Sequence, residues 1–335
     1  MLVFSAVFIS GFSEPKAAVK DAAPGADSVA GQSSLHEIAE YRDEWFDNKR
    51  DRVVPVKIYY PADIREKCPV IIFSHGLGGS RDGYVYLGEY WARHGYVSVH
   101  LQHRGSDREI WEDKDNPRRE LAKAANFENS VARARDVSFA IDYINFIADY
   151  QVSSPVHDIV DPEHLGVAGH SFGAQTTLLI SGVPLGRFGR KNLDYHDDRV
   201  SAAVALSPAP PRQRKYINEF YEQVRIPVMH MTGTEDVSPL DKSVGPEDRR
   251  IPFDHINKSD QYLLVLNGGD HMVFSGRGNH NDRPGDAAMQ QIVAEVSTAF
   301  WDACLRDDPQ AKYHLQHEVS KETAGAASFE MKTAK

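Results

Sequence analysis

LGVAGHSFG, residues 165–173, decides how the rest of the chain is read. Leu165, Gly166, Val167 and Ala168 make a short apolar run with the character of a buried strand. The run enters Gly169-His170-Ser171-Phe172-Gly173, and the residues that follow, AQTTLLI, continue as a helix. The spacing predicts strand, sharp turn and helix, with Ser171 at the tip. Glycines two residues either side of the serine are needed where a strained turn brings strand and helix almost into contact. With Gly and Ser each at roughly 7% of residues, chance supplies about 0.1 such pentapeptides in a chain of this length. The alternative is a glycine-rich turn whose serine merely caps a helix.

Outward from this turn the chain alternates strand and helix patterns. Residues 69–73 (PVIIF) and 200–206 (VSAAVAL) are continuous apolar runs, as expected of strands buried on both faces of a parallel sheet. Residues 96–101, 227–231 and 262–266 read as further strands, the last of them closing the sheet. Residues 37–46 and 53–60 read as an antiparallel pair. Helical spacing runs over 84–93, 131–150 and 286–305, with Val137, Ala140, Ile141, Ile144 and Ile147 on one stripe. Residues 102–126 are polar and poorly periodic, too long for an ordinary connection, so they are either a functional flap or partly disordered. Such alternation predicts one α/β domain with a mostly parallel sheet over residues 35–309, followed by a polar, mobile tail over 310–335.

The 335 residues are 41% apolar and 26% charged, the composition of an ordinary globule. A formal charge of −10 argues against nucleic acid or an anionic membrane as the main partner. Cys68 and Cys304 lie far apart in sequence, have no metal-ligand spacing, and could be free or paired. Residues 2–12 (LVFSAVFISGF) are apolar but too short to span a bilayer. With the Ala-, Gly-, Ser- and Pro-rich stretch to residue 34, they resemble a secretory leader and a disordered linker, which implies export; otherwise the protein is cytoplasmic. The expectation is of no stable membrane insertion, and the oligomeric state stays open.

In open α/β sheets ligands bind beyond the carboxyl ends of the strands. Four loops there are chemically suggestive: 74–80 (SHGLGGS), the Ser171 turn, 232–236 (TGTED) and 267–271 (NGGDH). A serine hydroxyl needs a neighbouring base, and the base an orienting acid. Ser171, Asp236 and His271 follow one another in the order Ser, acid, His, with the last two just past predicted strands. Glu235 and Asp241 are the rival acids. Position after the last predicted strand singles out His271 among 15 histidines. An oxyanion would be met by backbone N–H groups: Phe172, after the serine, and the glycine-rich loop from His75, whose imidazole serves as a buttress.

The segments FSHGLGGSRDGY, GHSFGA, TGTEDVSP and GGDHMVFSG together resemble the serine α/β-hydrolases of the platelet-activating-factor acetylhydrolase and dienelactone-hydrolase-like group, with cutinase-like polyester hydrolases more distant. The resemblance spans residues 52–301. It implies an α/β-hydrolase fold with Ser171 as nucleophile, Asp236 as acid, His271 as base, and Leu77 and Phe172 as oxyanion donors. True dienelactone hydrolases carry a cysteine where Ser171 stands. The activity implied is hydrolysis of small carboxylic esters without metal or cofactor. Short acyl chains are expected, bound against Leu77, Phe172, Met272, Val273 and Phe274, with Arg81 the nearest cation in sequence. The rival readings are a serine peptidase of the prolyl-oligopeptidase type and a non-catalytic binding protein on the same fold.

Overall fold

In a computed structural model the described residues are 35–150, 153–186, 193–211, 214–276 and 283–335. The leader-like stretch over 1–34 lies outside them. Two long strands, β1 (Ile38–Asp47) and β2 (Arg52–Pro61), pair antiparallel across a short turn. Strand β3 (Cys68–Ser74) is buried throughout, and α1 (Val85–Arg93) leads to β4 (Val97–Leu101). Helices α2 (Pro117–Ala124) and α3 (Phe127–Asp149) precede β5 (Val160–His170), which ends at the serine turn and α4 (Phe172–Ile180). Strand β6 (Val200–Leu206), helix α5 (Ile217–Tyr221), strand β7 (Val228–Glu235), the short helices α6 (Pro246–Arg249) and α7 (Ile251–His255), and strand β8 (Gln261–Asp270) follow. Helices α8 (Asp286–Leu305), α9 (Pro309–His317) and α10 (Val319–Glu322) and strand β9 (Ala327–Lys332) complete the chain.

The strands form one sheet in the order β1-β2-β4-β3-β5-β6-β7-β8-β9. Pairing is parallel from β4 through β8 and antiparallel at both edges. This is an α/β-hydrolase fold. Alternate residues of the central strands face opposite layers, because strand side chains repeat every two residues. Val70 and Ile72 pack with Val137, Ile141 and Ile144 of α3, whereas Ile71 and Phe73 pack with Trp91 of α1 and Phe300 and Trp301 of α8. Helix α3 begins at Phe127, four residues before the predicted start at 131, since Asn126 caps it by accepting from Asn129 N.

The C-terminal residues differ from expectation. Residues 310–335 are not a mobile tail: Asp308 caps α9, and β9 pairs with β8 from Gln261↔Lys332 to Leu266↔Ala327. Strand β8 is therefore not the last. Leu315, Val319 and Ala327 are buried in this otherwise polar stretch, which is enough to dock it. Both cysteines are free thiols, and burial pushes Cys68 up to about 11 and Cys304 to about 12. Among the described residues, no helix is long and apolar enough to cross a membrane.

Candidate active site

Ser171 joins β5 to α4 with φ 56° and ψ −113°, a conformation L-residues rarely adopt. Its N–H is held by Leu206 O at 2.9 Å. The flanking glycines are obligatory on packing grounds. A Cβ at Gly169 would sit 2.5 Å from the Gly173 carbonyl, and one at Gly173 only 1.9 Å from Ser74 O. Backbone lies on both sides, so nothing can give way.

The turn presents Ser171 Oγ 2.9 Å from Nε2 of His271, which follows β8. His271 Nδ1 lies 2.8 Å from Oδ1 of Asp236, which follows β7. Oδ2 of Asp236 accepts from Thr232 Oγ1 at 2.9 Å. Of the rival acids, Glu235 points to solvent and faces Arg283, while the Asp241 carboxylate binds Ser243. Burial pushes the Asp236 carboxyl up, but the hydrogen bond from His271 and the charge of Arg249 outweigh this and bring it down to about 2. It is ionised at any ordinary pH.

Ser207 and Arg249, which the sequence did not single out, also converge here. Ser207 has φ 53°, and its hydroxyl lies 2.9 Å from His271 Nδ1. Arg249, at the end of α6, is 2% exposed, with Nε 3.3 Å from Asp236 Oδ1. His170 ties the two sides of the site together. Its Nε2 donates to His271 O at 3.0 Å, and its Nδ1 accepts from Tyr84 OH at 2.8 Å. The Tyr84 oxygen in turn accepts from Gly76 N at 3.1 Å.

The loop 75–79 is bonded almost throughout. Gly79 N donates to Gly76 O, Gly78 N to Ser106 O, Arg108 N to Gly79 O, and Trp111 Nε1 to Gly78 O at 2.8 Å. The fully buried Arg133 donates to His75 O and lies over the Phe172 ring at 4.8 Å. His75 is buried and accepts from His103 N, a bracing position. Among the described residues the N–H groups of Leu77 and of Phe172, the first residue of α4, have no internal partner. Residues 102–126 are thus neither disordered nor a detached flap. They form a turn at Arg108–Ile110 and helix α2, and they clamp the loop from outside.

Two expected wall residues are placed elsewhere. Phe274 is fully buried and packs against the His170 ring (centroids 5.6 Å apart), so it supports the site from below; Val273 is buried too. Met272 is 40% exposed beside His271. Arg81 is bonded to the carbonyls of Asp43 and Val56 on β1 and β2. Among the described residues no group of three or more His, Cys, Asp or Glu side chains could hold a metal ion.

A second Ser–His–Asp chain lies in the interior. His103 Nε2 is 3.0 Å from Ser74 Oγ, and its Nδ1 is 3.0 Å from Asp136 Oδ2. Asp136 is also paired with Arg50 and Arg52. Ser74, His103 and Asp136 are all buried, so no substrate reaches them.

A family model described as platelet-activating factor acetylhydrolase, isoform II, matches residues 48–110, the stretch holding β2, β3, α1, β4 and the 75–79 loop. The platelet-activating factor acetylhydrolase of Canis lupus familiaris is 29% identical over 148 residues, 35% of this chain and 33% of that protein. That of Cavia porcellus is 29% identical over 149 residues, 37% and 34%. Cutinase est1 of Thermobifida alba is 24% identical over 217 residues, 64% and 57%. The chain is similar to platelet-activating factor acetylhydrolases and to cutinases. Its matches span from a third to just over half the length of these relatives.

The buried histidines carry a pH liability. Burial lowers His75, His100, His103, His170 and His230, with His103 and His230 at about 4 and His100 at about 3. An unfolded chain protonates these rings near the ordinary value of about 6.5. Their stabilising contribution is therefore complete above about 6.5 and is lost as pH falls toward the folded-state values, on the order of 3 kcal/mol for a ring lowered to about 4. Asp136 and Asp236, both held at about 2, keep their contribution until pH falls below the ordinary carboxylate value of about 4. Scanning calorimetry from about pH 7 to pH 5 should show Tm falling by roughly 10 °C or more. A flat Tm over that interval rules this account out.

Proposed function

We propose that this protein is a serine hydrolase of carboxylic esters, working through an acyl-enzyme. Ser171 is the nucleophile, His271 the general base, Asp236 the acid that orients it, and the Leu77 and Phe172 N–H groups receive the oxyanion. The observation that carries the reading is the run of contacts from Asp236 Oδ1 through His271 to Ser171 Oγ, at 2.8 and 2.9 Å, ending on a half-buried hydroxyl. The relatives' names, acetylhydrolase and cutinase, both denote ester cleavage and support it from outside.

Asp236 accepts the Nδ1 proton of His271, which leaves Nε2 free as acceptor. As Ser171 Oγ bonds to the ester carbon, its proton passes to Nε2 and the carbonyl electron pair moves onto oxygen. The developing charge meets two N–H groups that have no other partner among the described residues, and the bonded loop around Leu77 spares the reaction any reorganisation. The proton then goes to the departing alkoxide oxygen. Water repeats the sequence on the acyl-enzyme.

The substrate range follows from the rim. The segment 102–126 is charged and clamped to the loop, so it does not act as an apolar lid that opens on lipid. Met272, Val237 and Leu240 offer isolated exposed apolar contacts near His271 and Asp236 in sequence. Each buried methylene adds about 0.8 kcal/mol, roughly fourfold in kcat/KM, until the site is filled. A panel of p-nitrophenyl esters should show a maximum between acetate and hexanoate, with no jump at the micellar limit. A maximum at long chains with an interfacial jump would make the protein a lipase, and faster cleavage of a peptide amide would make it a peptidase.

A further inference from the structure

We propose that Arg249 is a positioning residue that sets the pH range over which His271 serves as base, by holding a fixed positive charge against the Asp236–His271 pair. The proposal rests on the hydrolase reading above and deepens it.

The geometry is specific. The guanidinium is buried, with Nε 3.3 Å from Asp236 Oδ1, the same oxygen that His271 Nδ1 approaches. Its other contacts are longer: Nη1 lies 3.4 Å from both Ser207 O and Pro208 O, and Nε lies 3.5 Å from Asp236 O. Nη2 stands 3.4 Å from His271 Nδ1. That last contact cannot be a hydrogen bond in the working enzyme. Nδ1 carries the proton donated to Asp236, and a guanidinium has donors only. Two donors therefore face each other and share one carboxylate oxygen.

Proton transfer makes the consequence. When Ser171 Oγ bonds to the substrate carbon and its proton moves to Nε2, the ring becomes a cation beside the arginine. Like charges at this distance in a dry site oppose one another by an amount worth at least a tenfold change in a proton equilibrium. The arginine also draws on the charge of Oδ1 that would otherwise stabilise the imidazolium. The neutral, working ring is thereby favoured to lower pH.

The other groups facing the pair do not duplicate this charge. His170, from β5, is 4.8 Å away between ring centroids and is kept neutral by burial. Asp270 is paired with Arg283 at 3.1 Å, and Asp248, beside Arg249 in α6, is paired with Arg214 at 2.7 Å. Among these described neighbours, Arg249 is the fixed cation in contact with both members of the pair.

The test compares pH–rate profiles of wild type, Arg249→Met, Arg249→Gln and Arg249→Lys on soluble p-nitrophenyl butyrate. The acid limb of kcat/KM should move to higher pH by about one unit in the two neutral variants, so that on the falling limb each, scaled to its own plateau, is roughly tenfold below wild type scaled to its plateau. Arg249→Lys keeps the charge and should hold the limb near the wild-type position. A clamp that merely fixes the loops would lower the plateau in all three variants without moving the limb, and that result overturns the proposal. So does an equal shift in Lys and Met, or loss of fold in both neutral variants. A second measurement follows the His271 ring by NMR titration in Ser171→Ala protein, with and without Arg249→Gln. It needs no turnover. If wild type cleaves no ester, the hydrolase reading fails alone; if the ring's midpoint does not rise on loss of Arg249, this inference fails alone.

Discussion

Ser171→Ala is expected to give a folded protein whose ester hydrolysis is reduced by at least about 10⁴-fold in kcat. Alanine keeps the Cβ that already sits at φ 56°, so the turn tolerates it no worse than serine does. Gly169 and Gly173 still permit the contact with Ser74, and the Ser171 N–H still reaches Leu206 O. Only the oxygen that would carry the acyl group is gone. The interior chain of Ser74, His103 and Asp136 makes the experiment sharper, because it repeats the same bonding pattern at 3.0 Å a step. Ser74 is 2% exposed and His103 fully buried, with the imidazole lowered to about 4 by burial and the charge of Arg133. An organophosphate should therefore label wild type at Ser171 and nowhere else, and label the alanine variant not at all. Adduct on any other serine, or activity surviving in the variant, would refute the assignment of the nucleophile.

The contrast between these two Ser–His–Asp chains also marks what a linear reading reaches. The Ser171 turn was legible because its requirement is local: two glycines at fixed offsets, an apolar strand before and a helix after. Residues 69–73 and 200–206 were legible as buried strands for a similar reason, since apolar residues run unbroken where both faces are covered. Asp236 and His271 could be placed by chain order and by their loops at strand ends. Nothing local marks Arg249 or Arg133. Each has another arginine beside it or two residues on, Arg250 and Arg135, and its meaning comes from partners contributed by other elements of the fold: Asp236 and Ser207 for Arg249, His75 and Ser106 for Arg133. Phe274 was misplaced because an apolar residue after a loop histidine reads equally as a wall or as core. Strand β9 alternates Ala327, Phe329 and Met331 with Ser328, Glu330 and Lys332, but this two-residue period runs over only six residues at the end of a polar stretch, too short to stand out from a tail.

His271→Ala and Asp236→Asn are expected to be similarly damaging to activity and to differ in stability. Without His271, the Ser171 proton has no acceptor within reach, and kcat/KM should fall by about 10³-fold or more. With asparagine at 236, the amide can donate to Nδ1, which turns the ring so that the proton sits on Nε2 facing the serine; the loss should be about 10³–10⁴-fold near neutrality. The two variants part company at Arg249. His271→Ala leaves Asp236 and Arg249 paired, at 3.3 Å, and exposes no new charge. Asp236→Asn removes the carboxylate and strands a buried guanidinium whose remaining partners are carbonyls at 3.4 Å or beyond. An uncompensated buried charge of that kind costs about 3–5 kcal/mol. The Tm of Asp236→Asn should therefore drop well below that of His271→Ala, while Glu235→Gln, whose side chain lies in solvent, should leave both activity and Tm near wild type. A larger activity loss in Glu235→Gln than in Asp236→Asn would transfer the role of acid. Equal Tm values in Asp236→Asn and His271→Ala would mean that Arg249 is not held by Asp236 in solution.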